Sequence, residues 1–302
     1  MERILQLRAE GRHFGRTLKQ IMQKEYGMSS GLISRMKQSD NSVLVNGAPQ
    51  WVNYIASEGD EITFTVETED MSSEGIIPTT HPVDIIFEDE DILVVNKPAY
   101  LPCHPVTSNR ENTLSNYLTA YYLQTGQAFT ARVINRLDSN TSGLVLFAKN
   151  ALAGGTLNEL SKRKLIIKEY TAITLGIPSQ EGGEVSTHIR RKEGNALARE
   201  VCSDEDGKMA ITQYEVLSCD KEKNLALLRV RTLTGRTHQI RVHMANIGCP
   251  LAGDFLYGTE DHELIARHAL HMGELSLNHP LTKAPLHFSA PLPEDMQRLF
   301  PV

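Results

Sequence analysis

The chain has 302 residues, of which 40% are hydrophobic and 23% charged, and its formal net charge is −6; these values are ordinary for a soluble globular protein of about two domains. No apolar run approaches the roughly 18 residues of a membrane-spanning helix, and the N-terminus lacks the apolar core of a secretory signal. The acidic balance argues against a uniformly basic nucleic-acid-binding surface but is compatible with a local basic groove.

The cysteines show neither close pairing nor a CxxC motif. We therefore expect reduced thiols and a cytoplasmic protein. The four residues are Cys103, Cys202, Cys219 and Cys249.

The N-terminal region predicts two helices followed by a small hairpin. Apolar residues recur at helical spacing over 14–26, and Gly27 ends that run. Ser29 or Ser30 can cap a second short helix. The sequence V-L-V-N-G at 43–47 alternates into a hairpin turn.

This order of elements, with a Gly59-Asp60 turn before an alternating strand, resembles an S4 RNA-binding domain. The resemblance implies a basic surface that faces phosphates. The residues that would supply it are Arg16, Lys19, Arg35 and Lys37. We assign 1–66 to this domain and interpret the acidic, proline-containing segment 67–82 as a linker.

Residues 83–302 are predicted to form a second, larger domain. An alternating strand at 83–87 and an apolar strand at 92–95 come first, and the sequences N-K-P and L-P-C-H-P follow. His104 in this loop is either a base-contacting residue or a structural one. A helix that Asn112 or Thr113 can cap comes next.

The stretch 135–149, NRLDSNTSGLVLFAK, places a lone carboxylate before a strand. Asp138 lies at a polar turn that leads into a short apolar run, so a rigid element would hold it at a cleft. From local chemistry alone, the favoured interpretation of Asp138 is a surface residue that accepts hydrogen bonds from its own turn.

The middle of the domain predicts a helix with a basic end and then strands at 165–175 and 208–214. Tyr170 on the first strand can stack on a base or pack in the core. We interpret 186–195, with Arg190 and two further basic residues, as an exposed basic loop.

The stretch 233–258 predicts a helix capped by Thr237 and closed by Gly248. His238 and Arg241 are three residues apart and would share the face opposite the apolar residues. Arg236 lies in the turn before the helix, a position suited to binding an anion.

Several of these motifs together resemble the RluA-type pseudouridine synthases from about Val83 to the C-terminus. They are N-K-P, R-L-D-x-x-T-S-G-L, K-x-Y-x-A, T-G-R-T-H-Q-I-R-V-H and G-D-x-x-Y-G. Two positions depart from the family pattern: Asn135 stands where the family has His, and Tyr100 where it has Gly. The resemblance implies an α+β fold with a mixed, largely antiparallel sheet, whose helices and loops flank an RNA-binding cleft.

The same resemblance implies an isomerase that converts uridine to pseudouridine in structured RNA without a metal or cofactor. Asp138 would be the essential carboxylate and Arg241 its partner, while Tyr170 would stack on the flipped uracil. Arg136 would fill the space that the extruded base leaves. The further RNA contacts would be Asn135, His104, Arg236 and His238. The S4-like domain favours large-subunit ribosomal RNA over transfer RNA, and we expect a monomer.

Three other functions compete for the same residues. A metal hydrolase could use His238, His243 and Cys249, or His268 and His271, although their spacing fits no zinc motif. A glycosidase would need a second carboxylate beside Asp138. A non-catalytic RNA-binding protein would need the basic and aromatic residues but not Asp138.

Overall fold

Two β-sheets form the framework of the computed structural model, which describes residues 2–39, 41–67, 75–106, 109–126, 130, 132–203 and 206–300. The smaller sheet has four strands and lies N-terminal; the larger has eleven. The predicted α+β class with a mixed, largely antiparallel sheet is confirmed.

The N-terminal sheet packs against two helices. Its strands are β1 (Glu2–Arg8), β2 (Val43–Val45), β3 (Ala48–Pro49) and β4 (Glu61–Glu67), and the helices are α1 (Leu18–Tyr26) and α2 (Ser30–Met36). The spatial order is β1-β4-β2-β3. The predicted first helix starts later than expected, because Thr17 is its N-cap and accepts a hydrogen bond from Gln20 N. Strand β1 was not predicted, and the S4 resemblance stays a prediction.

The larger sheet spans the rest of the described chain. Its strands are β5 (Ile85–Glu88), β6 (Ile92–Lys97), β7 (Arg132–Val133), β8 (Ser142–Ala148), β9 (Ile167–Leu175), β10 (Gly182–Arg191), β11 (Arg199–Cys202), β12 (Lys208–Asp220), β13 (Leu225–Thr232), β14 (Leu270–Asn278) and β15 (Pro285–Ser289). The helices beside it are α3 (Leu114–Gln124), α4 (Ala151–Lys162), α5 (Gln239–Asn246) and α6 (Glu294–Leu299). The order is β11-β10-β12-β13-β9-β14-β8-β6-β5, with β15 paired to β14 and β7 to β8.

A short parallel contact between β8 and β14 joins the two halves of this sheet. Ser142 is opposite His271, and Gly143 is opposite Met272. Gly143 has φ +114°, and a Cβ there would lie 2.2 Å from Met272 O. Only glycine fits this crossing, so the T-S-G part of the motif fixes the loop of Asp138 at the centre of the sheet.

The predicted basic loop at 186–195 is wrong for its first half. Residues up to Arg191 belong to β10, which pairs with β11 on one edge and β12 on the other. Arg190 forms a cross-strand salt bridge with Glu200 at 2.9 Å. Arg190 is exposed on the face of β10 opposite to the buried Ile189, because side chains alternate along a strand.

The N-terminal sheet and its helices are docked on α4. A Cβ at Gly155 would lie 2.4 Å from Gly27 O, and Thr156 Oγ1 donates to Tyr26 O at 2.5 Å. Leu152 is part of the N-terminal hydrophobic core. Helix α4 follows β8 in the chain, whereas the loop of Asp138 precedes that strand.

The predicted linker is only partly described, since 68–74 lie outside the described residues. The part that is described runs along α3. Thr79 N donates to Asn116 O at 3.2 Å, and the ring of His81 stacks on Tyr117 with centroids 4.4 Å apart. This part of the segment is therefore held against the larger domain.

Among the helices that the structure describes, none has the length and apolarity needed to cross a membrane. All four cysteines are free thiols; Cys103 and Cys249 are buried.

Candidate active site

Asp138 lies in the turn before β8, where Thr141 N donates to its backbone oxygen at 3.1 Å. Its side chain is 27% exposed and faces two cationic or titratable groups. Arg241 Nη1 lies 3.4 Å from Asp138 Oδ2, and His238 Nε2 lies 3.8 Å from the same oxygen. The two groups that sequence predicts to pair, 103 residues apart, are therefore in contact.

Arg241 is held from behind by a second carboxylate. Arg241 Nε donates to Asp254 Oδ2 at 2.7 Å and Nη2 to Asp254 Oδ1 at 2.8 Å. The guanidinium is 3% exposed, and the Asp254 side chain is fully buried. Burial opposes both charges, but their mutual hydrogen bonds and attraction outweigh it, so the pKa of Arg241 is raised and that of Asp254 lowered. Arg241 thus presents its Nη1 amino group, in a fixed direction, to Asp138.

His238 has a different role in the helix from the one predicted. It is the N-cap of α5, with φ +58° and no capping bond from its side chain, whereas Thr237 was expected to be the cap. From this position the ring lies beside Arg241, and both side chains approach Asp138 Oδ2. The Tyr257 hydroxyl accepts from Arg199 N and lies 2.8 Å from His238 Nδ1. The carboxylate of Asp138 lies 3.8 Å from Nε2 and can only accept, which favours the neutral tautomer with its proton on Nε2, while Nδ1 accepts from the Tyr257 hydroxyl.

The pKa of His238 is lowered by burial, an effect that the negative charge of Asp138 partly opposes. The ring is therefore mainly neutral at pH 7. His238 therefore stabilises the Asp138 carboxylate through the dipole of its Nε2–H bond and not mainly through a full positive charge.

Tyr170 lies on β9 at the floor of the site, between Val230 of β13 and Met272 of β14. The side chain is half-buried. Burial and then the nearby charge of Asp138 raise the pKa of Tyr170, so the side chain stays a neutral phenol. Both predicted environments of Tyr170 are therefore present: the residue lies at the cleft and also packs against the hydrophobic core.

Lys97 is a buried residue of this site that sequence reasoning did not select. Its side chain has no exposed surface, and Nζ donates to Pro98 O at 2.8 Å and to Ser139 O at 3.0 Å. Burial lowers the pKa of Lys97 to about 8, against the opposing charges of Cys103 and Asp138. Through this hydrogen bond Lys97 links Ser139, the residue after Asp138, to the end of β6. A lysine that ends an otherwise apolar strand was the available signal.

His104 and Arg136 form the other side of the site. The Ser115 hydroxyl donates to Cys103 O at 2.8 Å and lies 3.0 Å from His104 Nδ1, so Nδ1 donates and Nε2 remains an acceptor. Burial and then the charge of Arg136 lower the pKa of His104. Arg136 itself is exposed.

Asn135 is not placed as an RNA contact, and this part of the prediction is corrected. Its side chain is buried. Nδ2 donates to Leu144 O at 3.1 Å, and Oδ1 accepts from Leu146 N at 2.8 Å. An amide whose donor and acceptor both bind the backbone of β8 has little left for a ligand, so Asn135 fixes the start of the motif.

The remaining predicted RNA contacts are spread over the surface. Arg236 is exposed, and its Nε donates to Met209 O at 3.0 Å. Lys19, Arg35 and Lys37 are exposed and Arg16 is half-buried. These four lie in the N-terminal domain, at the far end of β8 from Asp138, and do not join the site itself.

The competing interpretations find little support in the arrangement. His243 lies 3.0 Å from Thr187 Oγ1 and 2.9 Å from Thr212 Oγ1 through its two ring nitrogens. In the part of the chain that the structure describes, the one close group of three metal-ligand side chains is Asp89, Asp91 and His279. Asp254 is a second carboxylate, but it lies behind Arg241 and cannot reach a substrate as a glycosidase would require. Its place in the G-D motif was the only sequence signal for it.

Comparison with known proteins gives a consistent result. Residues 91–246 match the family model described as RNA pseudouridylate synthase. An uncharacterized RNA pseudouridine synthase of Bacillus subtilis, YjbO, is 36% identical over 275 residues, which are 91% of this chain and 95% of that protein. The ribosomal large subunit pseudouridine synthase D of Haemophilus ducreyi is 37% identical over 272 residues, 86% of this chain and 80% of that protein.

The solved structures agree with the sequences. The human RNA pseudouridylate synthase domain containing 1 matches with a TM-score of 0.60 and 25% identity over 73% of this chain and 87% of that one. The human RNA pseudouridylate synthase domain containing 4, at 24% identity, shares the fold with a TM-score of 0.58 over 72% of this chain and 92% of that one.

Proposed function

The chain belongs to the RNA pseudouridylate synthase family, and we propose that it isomerises uridine to pseudouridine in large-subunit ribosomal RNA. The observation that carries the proposal is the contact between Asp138 and Arg241, 3.4 Å apart at a partly open cleft. A carboxylate that is reachable by a ligand and held by a buried guanidinium suits covalent or acid–base chemistry.

The reaction requires the bond from C1′ to uracil N1 to break, the base to rotate, and a bond from C1′ to C5 to form. The proton on C5 is lost and N1 gains one, so the product is an isomer of the substrate. Asp138 either attacks the sugar or base, or removes a sugar proton. In both routes Arg241 keeps the carboxylate ionised and oriented, and Asp254 keeps Arg241 in place.

Tyr170 would stack on the flipped uracil. Its raised pKa makes it a poor base at neutral pH, so its neutral ring supports stacking and hydrogen-bond donation more than direct removal of the C5 proton. Arg136, exposed at the opposite side next to His104, would occupy the space that the extruded base leaves in the RNA.

The N-terminal domain would supply affinity at a distance. Its exposed Lys19, Arg35 and Lys37 lie outside the site of Asp138, in the domain that is docked on α4. An RNA that contacts both places must reach from the site to the N-terminal domain. The relatives named as large-subunit synthases favour ribosomal over transfer RNA as the target. We expect the protein to act as a cytoplasmic monomer.

Tritium release from RNA labelled at uridine C5 tests the proposal. Large-subunit ribosomal RNA and transfer RNA transcripts are incubated in parallel with the wild type and with Asp138→Asn. We expect release from the ribosomal transcript with the wild type only. Release from transfer RNA alone would overturn the choice of target. The absence of release from both RNAs would overturn the proposed synthase activity.

A further inference from the structure

Two large aromatic side chains near Asp138 are exposed, and the proposed chemistry does not use them. Tyr100 is 58% exposed and Phe255 is 50% exposed. Aromatic surface left in water near a site is a common mark of a surface that binds a ligand.

Tyr100 lies in a loop that is anchored on both sides of the catalytic carboxylate. Before it, Lys97 Nζ binds Pro98 O and Ser139 O at 2.8 and 3.0 Å. After it, Cys103 Sγ lies 3.4 Å from Leu137 N. Tyr100 is therefore carried past the residues on either side of Asp138, with its ring outward.

The backbone of Tyr100 is also unfavourable. Its φ is +65°, a left-handed conformation that side chains with a Cβ adopt reluctantly and that glycine adopts freely. A strained residue at the rim of a site points to a function for its side chain. Glycine would adopt this φ without strain, so the presence of a tyrosine here is explained by a use for its exposed ring.

Phe255 stands on the other side of the carboxylate. It directly follows Asp254, the partner of Arg241, and its ring centroid lies 5.7 Å from Arg241 Cζ. The ring is thus backed by the guanidinium that contacts Asp138 and is open to solvent on the rest of its surface.

We propose that Tyr100 and Phe255 stack on unpaired nucleobases next to the target uridine, and that the substrate is therefore a uridine in a loop or single-stranded segment. The inference rests on the proposed function. Bases in an A-form duplex are stacked on each other and offer no free face, whereas unpaired bases stack on aromatic side chains. Tyr170, half-buried on the sheet, remains for the target base itself.

The test measures binding and turnover separately. A uridine-containing single-stranded oligoribonucleotide, and the same strand annealed to its complement, are titrated against the full chain. The variants are Tyr100→Gly and Phe255→Leu, and the matched controls that keep a ring are Tyr100→Phe and Phe255→Tyr. Thermal unfolding is recorded for all, and Tyr100→Gly should not lower the midpoint because it relieves the left-handed strain.

We expect the wild type to prefer the single strand, and each ring-removing variant to weaken that affinity about tenfold. The duplex affinity and both ring-retaining variants should be unchanged. Equal affinity of all variants for the single strand, or a wild type that prefers the duplex, would overturn the inference. Tritium release from the large-subunit ribosomal transcript is assayed alongside. Binding as expected without release rejects the proposed function alone, and release with unaltered binding rejects the stacking role alone.

Discussion

Arg241 and Asp254 form a buried bidentate ion pair, with Nε to Oδ2 at 2.7 Å and Nη2 to Oδ1 at 2.8 Å. The pair orients the guanidinium, whose Nη1 then lies 3.4 Å from Asp138 Oδ2. Asp254 therefore acts on the proposed catalytic carboxylate through Arg241 without touching a substrate.

Replacing Asp254 by Asn should cost stability and turnover together. One buried charge is left without its partner, and breaking such a pair typically destabilises by about 3–5 kcal/mol. Urea unfolding measures the loss. The double variant Arg241→Met with Asp254→Leu should lose less stability than the sum of the losses of Arg241→Met and Asp254→Leu alone. Each single change leaves one unpaired buried charge, whereas the double change removes both charges. Additive losses would show that the two side chains are not coupled.

The substitution Asp138→Asn should abolish conversion of uridine while RNA affinity stays within about twofold of the wild type, since a single partly exposed carboxylate repels phosphate only weakly. Tritium release and filter binding measure the two properties. Asp220→Asn removes the same charge at the β12–β13 turn and should convert uridine normally. Activity retained by Asp138→Asn would reject the role proposed for that residue.

The N-terminal basic residues should contribute affinity and salt dependence but not chemistry. Deleting residues 1–66 is a poor test, because the structure shows that it would uncover Leu152 and the docking face of α4. The triple change Lys19→Gln, Arg35→Gln and Lys37→Gln in the full chain avoids this.

The slope of log K against log salt should fall by about 2–3 for this triple variant, since each phosphate contact contributes roughly 0.7–0.9. The turnover number at saturating RNA should change less than twofold. The control removes three other exposed charges, by Lys162→Gln, Lys221→Gln and Lys223→Gln. If both triple variants have the same slope, the N-terminal domain is not the phosphate-binding surface.

Trp51 should report RNA binding by its fluorescence. It is the single tryptophan of the chain and is 76% exposed. The next residue, Val52, accepts a hydrogen bond from Lys19 N at 2.8 Å, so Trp51 is one residue away from the backbone contact of a proposed phosphate-binding lysine. Single-stranded RNA should quench the emission as bases stack on the ring. Binding measured by another method with no change in emission would place the RNA elsewhere.

Lys97 should make stability rise with pH in a definite window. Its pKa is about 8 in the folded chain against an ordinary value of 10.5, so between these values the unfolded chain binds a proton that the folded chain lacks. The free energy of unfolding then increases with pH, by up to about 3 kcal/mol for a shift of this size.

Comparison of the wild type with Lys97→Met isolates this contribution. Urea unfolding at pH 7.5, 8.5, 9.5 and 10.5 should show the difference between the two free energies growing in favour of the wild type as pH rises. If the two free energies of unfolding change in parallel with pH, then folding does not lower the pKa of Lys97.

Part of the fold was predictable because it depends on local chemistry. The N-cap of α2 and the hairpin at Asn46-Gly47 were predicted correctly. Errors arose where a neighbour in space decided the outcome. The segment from 186 to Arg191 was predicted to be part of a loop, but β11 and β12 pair with its two edges.

The sequence by itself determined the family, the alternation of elements and the identity of the carboxylate and guanidinium that would meet, because short motifs carry that information along the chain. Only the tertiary structure decided that the Asn135 amide binds the backbone of β8 and that Gly27 contacts Gly155 between the two domains. It also decided that Lys97 binds the loop of Asp138 and that Asp254 binds Arg241. Each of these depends on burial or on backbones that approach within a few ångströms, and neither is encoded in the spacing of residues along one segment.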